Sequence, residues 1–293
     1  MDFANKGALV STEWLAQHLS APDVRVVDAS WHLPALKRDV RADYEAAHIP
    51  GAVLFDIDRV CDSATALPHM LPSGQEFATH VRKLGLGDGS RIVVYDQGWM
   101  ASAARVWWTF RVFGHDDVAV LDGGFKKWRA EGRPVESFPA LPRERRFTSR
   151  YNHALVRDLD QIAHNLKAAH EQVIDARSSG RFAGVEPEPR TGLRAGHIPG
   201  SYNLPSDRLI DPATGTMKSA DALARAFDEA GIDIHKPIVT SCGSGITASL
   251  VALALFLLGN RSAAVYDGSW TEWGARDDLP IETGPASAPR VNA

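Results

Sequence analysis

The residue with the most chemical potential in this 293-residue chain is Cys242, one of only two cysteines. It follows the apolar run 237–240 and precedes Gly243-Ser244-Gly245-Ile246-Thr247-Ala248, after which the pattern predicts an apolar helix of roughly three turns. The thiol therefore stands at a strand-to-helix turn. Two glycines there let the backbone fold tightly, so that consecutive N–H groups point inward and form a nest for an anion. The partial positive charge of the helix N-terminus acts in the same direction and favours thiolate over thiol. A lone cysteine is more commonly a small apolar core residue, but a core cysteine has no use for glycines in the turn that follows it. The chemistry expected is nucleophilic attack by a charged sulfur. Cys61 lacks such a loop, and an inert thiol and a redox switch both stay open for it.

The elements that must position this turn are β-rich runs alternating with helical stretches. Strands are expected at 25–28, 91–95 and 118–121 with a helix at 101–113, and again at 172–175, 238–241 and 263–266 with helices at 219–230 and 247–258. Strands joined through helices form a parallel sheet with helices on both faces and functional loops at the carboxyl ends of the strands, an α/β fold. The chain also repeats itself once. Val26-Val27-Asp28-Ala29 recurs as Val173-Ile174-Asp175-Ala176, His48-Ile49-Pro50-Gly51 as His197-Ile198-Pro199-Gly200, and Asp122-Gly123-Gly124 with Trp128 as Asp267-Gly268-Ser269 with Trp273. The order is collinear and the spacing nearly constant, the mark of two copies of one domain. The Pro- and Arg-rich stretch 132–150 has neither period and reads as a connection, giving domains at 1–140 and 155–293 around a linker at 141–154. Residues 284–293 read as a loose tail.

Composition bounds the partners. With 44% hydrophobic residues the chain can fill two cores. A net charge of -4 offers no basic footprint for nucleic acid or an anionic membrane. The N-terminus lacks a charged start followed by a long apolar run, so no secretory signal is expected, and the least polar stretch, 248–259, is too short to cross a bilayer. The expectation is a soluble, cytoplasmic protein with reduced thiols.

At this point a resemblance emerges. The loop Cys242-Gly243-Ser244-Gly245-Ile246-Thr247-Ala248 resembles the active-site loop of 3-mercaptopyruvate sulfurtransferases, and the repeated Asp-Ala, His-Ile-Pro-Gly and Asp-Gly-Gly motifs resemble rhodanese domains over nearly the whole chain. The resemblance implies two tandem rhodanese-like domains, each a parallel sheet flanked by helices, with the first catalytically silent. The position aligned with Cys242 is Asp96, and a carboxylate in an anion nest cannot carry a transferable sulfur, so structural hydrogen bonds are expected of it. Thiosulfate-specific members of the family carry Arg and Lys after the cysteine; Gly243 and Ser244 replace them here. That departure favours an organic donor whose carboxylate is held elsewhere. By resemblance the holders are Arg181 and Arg190, and a guanidinium fork suits a carboxylate. The resemblance further maps a Ser-His-Asp relay onto Ser244, His69 and Asp58, with either Ser244 or His69 moving the proton and Asp58 orienting the imidazole. The persulfide formed on Cys242 would be held by the N–H groups around Gly243, Gly245, Ile246 and Thr247, and a thioredoxin-like or low-molecular-weight thiol, or cyanide, would remove its outer sulfur.

His48 and His197, Asp122 and Asp267, and Trp128 and Trp273 occur in both copies, active and silent alike, and so read as structural. No cofactor is implied, and the histidines are not paired with cysteine at zinc-ligand spacing. Two rival classes are weaker. A cysteine-dependent phosphatase needs an arginine six residues after its cysteine, where this chain has Ala248. A non-catalytic regulatory module would have lost the cysteine or the arginines. A thiosulfate:cyanide sulfurtransferase is the nearer alternative.

Overall fold

The computed structural model of the chain describes residues 2–286, so the expected tail lies outside the described residues from 287 onward. The first half alternates without interruption: β1 (Leu9–Val10), α1 (Thr12–His18), β2 (Val24–Asp28), α2 (Val40–Ala46), β3 (Val53–Leu54), α3 (Gly74–Lys83), β4 (Arg91–Tyr95), α4 (Ala101–Val112), β5 (Val118–Leu121) and α5 (Gly124–Ala130). The second half repeats the series as β6 (Val156–Arg157), α6 (Leu159–Ala168), β7 (Gln172–Asp175), α7 (Ser179–Ala183), β8 (Tyr202–Asn203), α8 (Ala220–Glu229), β9 (Ile238–Ser241), α9 (Ile246–Leu257), β10 (Ala264–Tyr266) and α10 (Ser269–Trp273). Each half folds into a five-stranded sheet, ordered β1-β5-β4-β2-β3 and β6-β10-β9-β7-β8. All pairings within them are parallel. The two orders correspond strand for strand, so the repeat in the sequence is a repeat of topology.

Parallel strands covered on both faces are apolar throughout rather than alternating. The central strands obey this: β9 is buried along its whole length and β4 everywhere but Arg91. Both faces are indeed covered. On the outer faces Leu15, Ile49 and Trp128 pack in the first domain, and Ile162, Ile198 and Trp273 in the second. On the inner faces one core runs through both domains, because α4 and α9 lie against each other. Only Ala101 of α4, and Thr247 and Phe256 of α9, escape full burial. Helices apolar on every side form stably only where no face meets water, and these two are sandwiched between a sheet and a helix of the other domain. Trp107 meets Phe256 edge-on at 5.3 Å. The Arg111 guanidinium lies over both rings, at 4.8 and 4.2 Å, where burial brings its pKa down to about 10.

The segment between α5 and β6 is docked rather than loose. Phe147 is buried beside Phe77 at 5.4 Å, and the amides of Asp88 and Arg150 pair with Arg146 and Phe113 carbonyls at 2.8 and 2.9 Å. The twin histidines hold the chain after the last helix of each domain. His48 pairs backbone to backbone with Glu136, and His197 does the same with Glu282. With both domains packed this way, the turns leaving β4 and β9 share one end of the molecule's joined core.

Candidate active site

Cys242 opens the turn between β9 and α9 and is 2% exposed. The segment after β10 braces this turn from behind. The Cys242 N–H donates to the Ser269 hydroxyl at 3.2 Å, and the amides of Trp270 and Thr271 donate to the Cys242 and Gly243 carbonyls, each at 2.9 Å. The two glycines of the turn have different surroundings. Gly245 has φ of +78°, a left-handed conformation that side chains resist, and a Cβ there would lie 2.6 Å from Arg105 Nη1. At Gly243 the two guanidinium tips come close, since a Cβ would lie 3.2 Å from Arg181 Nη2 and 3.8 Å from Arg190 Nη1. Two guanidinium groups therefore sit directly against the loop that carries Cys242.

The first domain shows what this kind of turn accepts. There the Asp96 carboxylate receives the N–H groups of Gly98, Met100, Ser102 and Ala103 at 2.9 to 3.1 Å and the Ser102 hydroxyl at 2.9 Å. Helix α4 begins after a left-handed residue, Met100, as α9 does after Gly245. Neither helix has a capping side chain at its first residue, so the first-turn amides need an outside acceptor. In α4 that acceptor is an anionic oxygen. Counted from the helix starts, the amides of Gly245, Thr247 and Ala248 correspond to those of Met100, Ser102 and Ala103, while Cys242, like Asp96, is the first residue after its strand, on a turn one residue shorter (242–245 against 96–100).

The relay residues come together across the domain boundary. His69, from the first domain, has Nδ1 2.9 Å from Ser244 Oγ and Nε2 3.1 Å from Asp58 Oδ1. An ionised Asp58 can only accept, so a neutral imidazole carries its proton on Nε2 and leaves Nδ1 to accept from the Ser244 hydroxyl. Trp31 Nε1 donates to the second Asp58 oxygen at 3.1 Å. The hydrogen bond from His69 is the main cause that holds the Asp58 carboxyl below its ordinary range. His69 also has φ of +64°. Counting back from the helix caps Ser73 and Ser219, its counterpart in the second domain is Gly215, with φ of +72°. A left-handed position filled by glycine in one copy and histidine in the other is strain of the sort that persists at functional sites.

Two residues that sequence reasoning passed over hold His69 in place. Asp267 accepts the Leu71 amide at 2.8 Å, as its twin Asp122 accepts the Met217 amide at 2.8 Å, so each Asp-Gly motif reaches into the opposite domain. Arg105 of α4, 2% exposed, donates Nη2 to the His69 carbonyl and to Asp267 at 2.7 Å and lies over Trp108 at 4.4 Å. Its Nη1 is buried against the Cys242 loop with no hydrogen-bond partner among the described residues. An arginine inside an apolar helix was the available signal.

The two proposed substrate arginines differ. Arg181 is already paired, with Nη2 2.6 Å and Nε 3.3 Å from the Glu188 carboxylate. Glu188 in turn is held by buried Arg177 at 2.7 Å. Arg190 has no ion pair or hydrogen bond among the described residues, and burial is the chief cause lowering its pKa, opposed by the attraction of Cys242 and Asp58. A half-buried cation with no ion pair among the described residues, beside Cys242, is able to take an anion. Cys61 donates its S–H to the Asp58 carbonyl at 3.1 Å, and burial, then the nearby aspartates, push its thiol pKa up. Among the described residues no group of three or more His, Cys, Asp or Glu side chains is arranged to hold a metal ion, and no helix is long and apolar enough to cross a membrane.

Comparison with known proteins covers both halves. Residues 11–131 and 158–276 each match the rhodanese-like domain. The chain is 44% identical over 276 residues to the 3-mercaptopyruvate sulfurtransferase of Rattus norvegicus, covering 92% of each. It is 42% identical over 301 residues to the mitochondrial thiosulfate/3-mercaptopyruvate sulfurtransferase 1 of Arabidopsis thaliana, covering 96% of this chain and 79% of that one. Among solved structures it resembles SseA from Escherichia coli, described with the rhodanese fold and catalytic mechanism of 3-mercaptopyruvate sulfotransferases, with a TM-score of 0.83 and 37% identity over 90% of this chain and 98% of the other.

Proposed function

The chain belongs to the rhodanese-like family, with two such domains in tandem, and from that membership we propose that it is a sulfurtransferase moving sulfur from 3-mercaptopyruvate through a Cys242 persulfide to a thiol acceptor or cyanide. The donor carboxylate sits on Arg190, with Arg181 alongside. The Cys242 thiolate attacks the donor sulfur, a sulfur–sulfur bond forms, and the carbon–sulfur bond breaks with its electrons passing to carbon. The leaving group is the enolate of pyruvate, and the proton that the donor thiol loses is the one the enolate needs. Ser244 and His69 carry it, and Asp58 keeps the imidazole in the tautomer that accepts from Ser244. The outer sulfur of the persulfide then rests in the amide nest of Gly243, Gly245, Ile246 and Thr247 until a thiolate or cyanide takes it.

The observation that carries this reading is the hydrogen-bonded chain Asp58–His69–Ser244 ending on the Cys242 loop. A phosphatase has no use for it. A thioredoxin-like or low-molecular-weight thiol acceptor and a reducing, cytoplasmic setting fit two free cysteines; fractionation of the cell of origin tests the setting, since the Arabidopsis relative is mitochondrial by name. The Arabidopsis name also includes thiosulfate, which makes that donor the competing reading.

Steady-state sulfur transfer to cyanide separates these readings. With wild type, 3-mercaptopyruvate is expected to be preferred over thiosulfate. Cys242→Ser is expected to lose transfer from both donors, and Arg190→Ala to raise the KM for 3-mercaptopyruvate by about tenfold or more, the loss of one charge-assisted carboxylate contact. Thiosulfate preferred by wild type would reject the donor assignment, and full activity of Cys242→Ser would reject the nucleophile.

A further inference from the structure

We infer that Glu188 is a specificity-determining residue, one that sets the charge of the donor pocket to suit a monoanion. The inference rests on the sulfurtransferase reading above and concerns how that site chooses its donor. Glu188 lies on the loop after α7, and its carboxylate is 4% exposed. It is engaged twice: Oε1 by Arg177 Nη1 at 2.7 Å and Oε2 by Arg181 Nη2 at 2.6 Å. Arg177 is itself clamped, with Nη2 on Asp175 at 2.6 Å and on the Gly196 carbonyl at 2.7 Å, and its guanidinium stacks over Trp270 at 4.3 Å. The position of Glu188 is therefore imposed by the core and not chosen by solvent.

Two consequences follow for the pocket. Asp175, Arg177, Glu188 and Arg181 together carry two negative and two positive charges, so their sum is zero. Asp58, ionised beside a neutral His69, and the Cys242 thiolate add negative charge near Arg190, the one cation here with no hydrogen bond or ion pair among the described residues. One cation is therefore open to the donor: it can meet the single carboxylate of 3-mercaptopyruvate, whereas the second negative charge of thiosulfate, a dianion, meets only further negative charge. Glu188 also occupies the Nε and Nη2 edge of Arg181, so the guanidinium of Arg181 reaches the loop in one orientation, with Nη2 against Gly243. Because these groups are largely withdrawn from water, their charges are weakly screened and an unbalanced unit is felt across the pocket. The glycine and serine after Cys242 keep added cations out of the loop; Glu188 offsets the cations already beside it.

The test is the ratio of kcat/KM for thiosulfate to that for 3-mercaptopyruvate. Glu188→Gln keeps the shape and removes the charge, and it is expected to raise the ratio by about tenfold, mainly through a lower KM for thiosulfate. Glu188→Asp retains the charge and is expected to hold the ratio within about twofold of wild type. An equal fall for both donors in Glu188→Gln, or a ratio that drops, overturns the role. Should Glu188→Gln fail to fold, competitive inhibition of wild type decides: the monoanion pyruvate is expected to compete more strongly than the dianion sulfate, and the reverse order overturns the inference. Failure of the donor assignment is read separately, from the preference of wild type itself, and leaves the direction of the Glu188→Gln shift to be judged alone.

Discussion

At the scale of single residues, the two halves differ at a handful of side chains on similar backbone. Cys242 stands where the other copy has Asp96, and His69 stands where the other copy has Gly215. The histidine accepts a left-handed conformation that glycine adopts freely, and Arg105 and Asp267 hold the loop that imposes it. If His69 moves a proton, its removal should act on turnover and not on donor capture. His69→Ala is expected to lower kcat by about a hundredfold with a small change in KM, measured in the same cyanide assay. A loss confined to KM would instead assign His69 to donor binding.

At the scale of elements, the unit that does the work is the strand, the turn and the helix that follows it. A helix with no capping side chain leaves N–H groups pointing out of its end, and in the first copy of this unit the carboxylate at the start of the turn accepts them. In the β4–α4 unit the acceptor is permanent. Asp96 is 2% exposed, so truncating it strands buried donors, each of which costs about 1–3 kcal/mol when left unpaired. Asp96→Ala is expected to destabilise the protein by about 3 kcal/mol or more, read from urea denaturation. A loss under about 1 kcal/mol would mean that water or another group satisfies the turn. In the β9–α9 unit the residue at the end of the strand is Cys242, 2% exposed.

At the scale of the whole molecule, the inner faces of the two domains share one core. Leu253 of α9 is fully buried in a cluster that also includes Trp107 and Phe110 of α4. Leu253→Ala is expected to cost about 2–5 kcal/mol and to lower the stability of both domains together. Calorimetry should give a single transition in wild type and variant, with calorimetric and van't Hoff enthalpies in agreement. Two resolved transitions, only one of them shifted, would show that the shared core does not couple the domains. The joining of the domains also brings Asp58 and His69 of the first onto Ser244 of the second.

The sequence alone determined the duplication, the α/β alternation, the six longer inner strands and the turn that carries Cys242. Those features are local: a period, a repeated tetrapeptide, or a glycine-rich turn after an apolar run can be read from neighbours along the chain. It did not reveal β1, β3, β6 and β8, because edge strands of two residues are too short to show a period. His69, Asp58, Arg181 and Arg190 were named from motif resemblance, without any physical sign of where they would meet. Arg105, Trp31, Asp267 and Glu188 were not assigned to the site at all. Their roles depend on contacts such as Arg105 with Asp267, 162 positions apart, and His69 with Ser244, 175 apart. Only tertiary structure decides such contacts, because they form when two cores fuse and bring one domain's loop onto the other's helix. No pattern of adjacent residues encodes which charge will find a partner and which, like Arg190, will have none among the described residues.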